Sequence, residues 1–240
     1  MLLNAEDVVM CAGKETTFEF VEDVIKEVVE IFPSEYIHIG GDECPKGEWE
    51  KCPLCQAKIK ELGIDKTIKG HTPEMRLQSY FIGRVEKIVE KYGKKPCVCN
   101  EAIDSGTLTK DAMVYGWESV EACRKATKAG YKTIVMPGTY FYFDMRQSAR
   151  EPGHNWAAIF DASKILKFDL EDQGFTEEEI KNVAGIQASF FSELYISHLD
   201  DESDYLQYQT YPRICSLSEL AWCGKGAEWD EFYLRLVNAH

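Results

Sequence analysis

Asp42 and Glu43 stand side by side directly after Gly40 and Gly41. Glycines let the backbone turn sharply, so the side chains that follow can be turned into a pocket. Neighbouring carboxylates repel, and burying both raises the pKa of at least one. A carboxyl kept protonated near neutral pH is what a general acid needs. A solvated acidic turn is the plainer reading of an isolated Asp-Glu pair. What shifts the balance is the short β-rich run Tyr36-Ile37-His38-Ile39 that leads into the glycines. Other β-rich runs end in similar residues: Asn100, Glu101 and Asp104; Trp117 and Glu118; Tyr140, Tyr142 and Asp144; Phe191, Ser192 and Glu193. One such end means little, because strand ends are exposed. The whole series points to a carboxylate-lined pocket with ring walls. That suits a sugar, whose hydroxyls bond to acids and whose C–H faces lie on rings. His38, inside a strand, reads on its own as a packed, hydrogen-bonded core histidine, and Trp117 on its own fits a core equally well.

The elements that must position these groups alternate between two periods. Thr16 and Glu19 have the spacing of a capping box. Val21, Val24, Ile25, Val28 and Phe32 follow at helical spacing, and Pro33 stops the helix. Leu77, Phe81, Val85, Ile88 and Tyr92 share a second helical face, closed by Gly93. Strands are expected at Tyr36–Ile39, Pro96–Cys99, Ala112–Trp117, Lys132–Met136 and Val183–Phe190, with helices at Ser119–Ala129, Ser203–Cys223 and Trp229–Asn238. Alternating strands and helices imply an α/β fold with a parallel sheet and right-handed crossovers. Five strands are too few for a closed eight-stranded barrel. No linker, repeat or low-complexity tract interrupts residues 1–240, which therefore read as one domain.

Composition narrows the partners. The 240 residues carry a formal charge of −14 with a pI near 4.9. That field repels nucleic acid and anionic membrane, and leaves a neutral sugar unaffected. No run of about 18 apolar residues exists to form a membrane-spanning helix. Met1 to Asp7 lacks the basic and apolar regions of a signal peptide. Cysteines number nine, so complete internal pairing is excluded. Cys52-Pro-Leu-Cys55, with Cys44 nearby and His71 as fourth ligand, has the chemistry for zinc. The second Cys-x-x-Cys of a structural zinc site is missing, however, and small buried residues plus one disulfide explain the cysteines as well. Neither a cofactor nor a metal is expected.

His38-Ile39-Gly40-Gly41-Asp42-Glu43 resembles the signature of glycoside hydrolase family 20, the β-N-acetylhexosaminidases. Phe32-Pro33, Trp49, Tyr142-Phe143-Asp144, Ser192-Glu193, Pro212-Arg213 and Glu219-Leu220-Ala221-Trp222 are similar to further motifs of that family, in the same order. The resemblance implies a TIM-type (β/α)8 barrel, incomplete here: about the last five units, strands four to eight. The first three strands would be missing, with an arginine and a histidine that the family places in its pocket. It also implies substrate-assisted, retaining removal of terminal β-linked GlcNAc or GalNAc. On that likeness Glu43 is the general acid and base, and Asp42 orients the acetamido group. Tyr142 hydrogen-bonds the acetamido oxygen, Trp117 walls the pocket, and Asp144 and Glu193 hold the outer hydroxyls. His38 and Phe191 complete the implied sugar-binding set. Two departures stand out: Cys99 and Phe191 occupy positions where the family commonly has Trp. The family also implies a secreted or periplasmic protein. Two alternatives remain open, a non-catalytic or fragmentary sugar-binding relative and a zinc-stabilised interaction domain around Cys44, Cys52, Cys55 and His71. An incomplete barrel leaves the Tyr36–Ile39 strand as an open edge, and self-association through that edge is expected.

Overall fold

A computed structural model describes residues 9–196, 204–225 and 228–238. The chain packs as two compact units, Met1–Val114 and Tyr115–His240.

The first unit opens with α1 (Glu15–Ile31) and β1 (Tyr36–His38). Two short helices follow, α2 (Gly47–Lys51) and α3 (Pro53–Glu61), and then the long α4 (Pro73–Lys91). Thr72 caps α4 by accepting from the Met75 N–H at 3.2 Å, and Pro73 fits the first turn, where an N–H is not needed. β2 (Lys95–Cys99) lies parallel to β1, with Ile37 opposite Pro96 and His38 opposite Cys97. A 3-10 turn, Asn100–Ser105, leads on towards β3 (Met113–Gly116). Phe18 and Ile25 of α1 pack with Ile37 of β1 and with Val85, Ile88 and Val89 of α4. Burying each such side chain stabilises the unit by roughly 1.5–3 kcal/mol. A second cluster joins Ala12, Trp49, Cys55, Ile59 and Leu77.

The second unit holds α5 (Val120–Lys128), capped by Ser119, and β4 (Lys132–Val135). After α6 (Gly138–Phe141), α7 (Ala162–Leu166) and α8 (Glu177–Ile180) comes β5 (Val183–Ile186), parallel to β4. α9 (Glu193–Ile196), α10 (Tyr205–Thr210), α11 (Arg213–Cys223) and α12 (Trp229–Asn238) finish the described chain. Its core gathers Val135, Phe141, Phe143, Met145, Phe160, Ile165, Phe168 and Leu220. The five strands are hydrogen-bonded in chain order, β1-β2-β3-β4-β5, with the unit division running through β3. α-Helices follow β1, β3 and β4 and a 3-10 turn follows β2, an alternation consistent with a partial (β/α) barrel of five units.

All five expected strands form, and among the described residues β1 is an end strand of the sheet. Four expectations need correction. The capping box does not form: Lys14 precedes the helix without a side-chain cap, and Thr16 sits inside the first turn. The turn from Cys11 to Lys14 starts the helix early (Lys14 N–H to Cys11 O, 3.4 Å). The helix expected over Ser203–Cys223 is two helices, broken at Tyr211-Pro212, whose peptide bond is cis; Ser203 lies outside the described residues. β5 stops at Ile186, well short of Phe190. No disulfide forms among the nine cysteines. On α1 the apolar Phe20, Val24 and Ile31 are exposed, as is Phe32 just beyond it. Among the described residues, nothing covers this second apolar stripe of α1.

Candidate active site

In the first unit the chain leaves β1 through Ile39, whose N–H donates to Cys97 O at 2.9 Å. The Gly40 carbonyl then accepts from the Cys99 N–H at 2.9 Å, so the turn stays tied to β2. Gly40 and Gly41 take φ of +72° and +102°. At Gly41 the need for glycine is also steric, because a Cβ there would lie 3.1 Å from Ile82 Cδ1 and 3.3 Å from Ala102 Cβ. Gln78 of α4 holds the turn from below, its Nε2 donating to Gly41 O at 3.2 Å and to Asp42 O at 3.4 Å. Lys46 donates to Gln78 Oε1 at 2.7 Å and to the Cys44 carbonyl, which closes the loop after the acids.

Asp42 and Glu43 are therefore presented on a braced turn at the C-terminal end of β1. Both are exposed. The burial invoked from sequence is not supplied by the residues of this unit. Both acids line a cavity of about 250 Å³, with Gln78, His71, Glu101 and Asp104 on its walls, and a second of about 370 Å³ beside Met10 and Trp49. A further cavity of about 660 Å³ along α4 contains neither acid. Cys99 stands at the end of β2 with its thiol hydrogen-bonded to Asp42. Burial, then the nearby charges of Asp42 and Glu101, push that thiol well above its ordinary range. His38 is not in the packed core. It ends β1, exposed, and its Nδ1 accepts from the Gly40 N–H at 3.1 Å. Partial burial lowers the imidazole's pKa, with Asp42 opposing.

The second unit gathers the aromatic residues. Tyr142 is buried, and three rings surround it. Trp117 is stacked at 6.4 Å, Trp156 is edge-on at 5.8 Å, and Phe191 is tilted at 5.3 Å. Trp156 was not foreseen from sequence, since it lies in the long loop after α6, where no periodicity marks it. Asp144 is buried, and its Oδ1 has no hydrogen-bond partner. Burial raises its pKa, opposed by its own backbone N–H, by His154 and by the Phe191 N–H. Glu193 opens α9 in an exposed position and adds a like charge to Asp144.

Arg213 is the residue whose role sequence reasoning missed. It is fully buried, and its guanidinium donates to Phe143 O, Met145 O at 2.8 Å, Gln209 O and Gln209 Oε1 at 2.8 Å. It thus fixes the backbone on either side of Asp144 from the first residue of α11. In chemical terms, the first unit presents two carboxyls able to give and take a proton. The second presents ring faces around Tyr142 and, two residues on, a buried carboxylate with an unused acceptor, groups of the kind that can receive a hydroxyl-bearing ring. The ligand set of the zinc alternative weighed from sequence is corrected. Cys11, not Cys44 or His71, joins Cys52 and Cys55. His71 is instead held in a bridge with Ile68.

Residues 2–225 match the catalytic domain of glycosyl hydrolase family 20. The chain is 33% identical over 245 residues to a β-hexosaminidase of Porphyromonas gingivalis, covering 100% of this chain and 30% of that protein. It is 30% identical to a β-hexosaminidase of Vibrio furnissii, covering 88% and 33%. Among solved structures it is similar to the exo-β-N-acetylglucosaminidase of Vibrio harveyi in complex with N-acetylglucosamine. There the TM-score is 0.82 at 27% identity, over 96% of this chain and 35% of that one. The chain thus spans about a third of the length of these relatives.

Proposed function

The chain belongs to glycosyl hydrolase family 20, and on that premise we propose that it carries the acid–base and sugar-holding residues of an exo-acting β-N-acetylhexosaminidase. The substrate class is a glycan ending in β-linked GlcNAc or GalNAc. Residues 1–240 serve as one part of a single catalytic barrel.

In this reading the sugar's own acetamido oxygen attacks the anomeric carbon. The bond to the leaving oxygen breaks while Glu43 donates a proton to it, and an oxazolinium-like intermediate results. Water then adds at the anomeric carbon as Glu43 takes back a proton, giving retention. Asp42 orients the acetamido N–H and balances the developing positive charge, and Tyr142 hydrogen-bonds the acetamido oxygen. Trp117 and Phe191 cover the sugar's C–H faces. Asp144 and Glu193 accept from its outer hydroxyls. His38 braces the turn through the Gly40 N–H.

The observation that carries the proposal is the exposed Asp42–Glu43 pair on a twin-glycine turn at the C-terminal end of a parallel strand. That is where barrel enzymes keep their reacting groups. The test uses a protein containing the whole barrel and compares an aryl N-acetyl-β-glucosaminide with the matching β-glucoside. The acetamido sugar should be turned over and the glucoside hardly at all. Comparable rates would end the substrate-assisted reading.

The exposed stripe Phe20, Val24 and Ile31 and the end strand β1 support a further part of the proposal. The 240-residue chain alone self-associates through this edge and has little activity, and supplying the preceding barrel strands in cis restores activity.

A further inference from the structure

Three thiols meet outside the linings of the two cavities that hold the acid pair. Cys11 Sγ lies 3.7 Å from both Cys52 Sγ and Cys55 Sγ, and all three sulfurs fall within 4.8 Å of one another. A disulfide needs sulfurs about 2.05 Å apart and would use only two of the three. Three thiolates on one tetrahedral zinc, at Zn–S of about 2.3 Å, stand about 3.8 Å from each other. The two 3.7 Å separations from Cys11 match that spacing.

The backbone is shaped to the same end. Cys52-Pro-Leu-Cys55 wraps the start of α3, and the N–H groups of Leu54 and Cys55 hydrogen-bond Cys52 Sγ. The Gly13 N–H does the same for Cys55 Sγ. Donors aimed at sulfur hold a thiolate in one orientation, as the surroundings of metal ligands do. Gly13 also lets two backbones meet: a Cβ there would stand 2.3 Å from Leu54 O and 2.8 Å from Cys55 N. Hence the segment before α1 and the Cys-x-x-Cys turn are built to touch, with their thiols converging.

We propose that Cys11, Cys52 and Cys55 bind one zinc ion through their three thiolates, the fourth corner of the tetrahedron being filled by a ligand outside this set. The ion pins the Cys11–Gly13 turn to the start of α3. Trp49 Nε1 reinforces the same junction by donating to Met10 O at 2.9 Å. Met10 and Trp49 line the cavity that also holds Asp42 and Glu43, so the ion steadies the floor behind the acid pair. Cys44 packs on the same apolar cluster but lies outside the thiol group. The inference stands without the hydrolase reading, because its test reads metal and not turnover.

The test is metal analysis of the protein purified under reducing conditions without chelator, followed by exchange of its zinc for cobalt. About one zinc per chain is expected. The cobalt form should show the thiolate-to-metal charge-transfer bands and red absorption of tetrahedral cobalt. Cys11→Ser should weaken zinc binding by more than about 100-fold, and Cys44→Ser should leave it unchanged. Should Cys11→Ser fold poorly, the zinc content and cobalt spectrum of the unaltered protein decide the matter. Substoichiometric zinc after incubation with zinc chloride, with no cobalt–thiolate band, would overturn the proposal. Equal loss of zinc in Cys44→Ser and Cys11→Ser would overturn the ligand set.

Discussion

Gly41→Ala is expected to destabilise the first unit by about 2–4 kcal/mol. The backbone supplies part of that. At φ +102° Gly41 lies well past the left-handed well near +57°, and a side chain held there costs roughly 1–3 kcal/mol. The rest is contact. The new Cβ would stand 3.1 Å from Ile82 Cδ1 and 3.3 Å from Ala102 Cβ. Ile82 and Ala102 are both buried, so neither yields freely, and crowding them adds roughly 1 kcal/mol. Gly93 is the control, with φ +70° and open space around it. Gly93→Ala should therefore cost only about 1–2 kcal/mol, from the backbone alone. Urea unfolding of both variants beside the parent measures the difference, with the denaturant slope unchanged. In a whole-barrel protein Gly41→Ala should also lose turnover, since a displacement of about 1 Å at the acid pair costs on the order of 10²-fold. An unfolding midpoint for Gly41→Ala at or above that of Gly93→Ala would refute the steric account of the turn.

Burial holds the Asp144 pKa above its unfolded value, so the folded state keeps that proton better, and this contribution to stability is lost as pH rises through the raised pKa. Asp144→Asn should therefore gain stability relative to the parent as pH climbs from about 3 to 7 and level off above the folded pKa, as urea midpoints across that range will show; a pH-independent difference would contradict it. Replacing Phe20 and Val24 together with Lys should reduce self-association of the isolated chain in sedimentation velocity, and an unchanged distribution would clear α1 of that role. A thiazoline analogue of GlcNAc, which mimics the cyclised intermediate, should inhibit a whole-barrel protein far more strongly than GlcNAc itself. Equal inhibition would argue against cyclisation.

The first four strands were legible because each is a compact β-rich run ended by glycine, proline or a charged turn, as at Ile39-Gly40-Gly41 and Met136-Pro137-Gly138, whereas Gln187-Ala188-Ser189 gives β5 no such stop. α4 was legible from one apolar stripe, of which Leu77, Val85 and Ile88 are buried and Phe81 is half-buried. α2 and α3 were not. They are short, lysine- and glutamate-rich, and bury only Trp49, Cys55 and Ile59, too few residues to set a period. The acid pair was legible from its glycines, but its exposure was not, because burial depends on which elements surround a turn and not on the turn itself. Arg213 shows the same limit. An arginine in sequence reads as surface, and only the fold brings the carbonyls of residues 143 and 145 around it. Cys11 could not be grouped with Cys52 across 41 residues, whereas the near neighbour Cys44 invited a pairing that the geometry does not make.

The central claim is that Glu43 is the proton donor to the leaving oxygen, and leaving-group dependence tests it most directly. In a protein containing the whole barrel, Glu43→Gln should lose about 10²–10⁴-fold in turnover of a natural GlcNAc disaccharide, whose leaving group needs a proton. The glycosylation step with an aryl glycoside bearing a good leaving group should be much less affected. Turnover of the disaccharide by Glu43→Gln at the parent rate would contradict the claim.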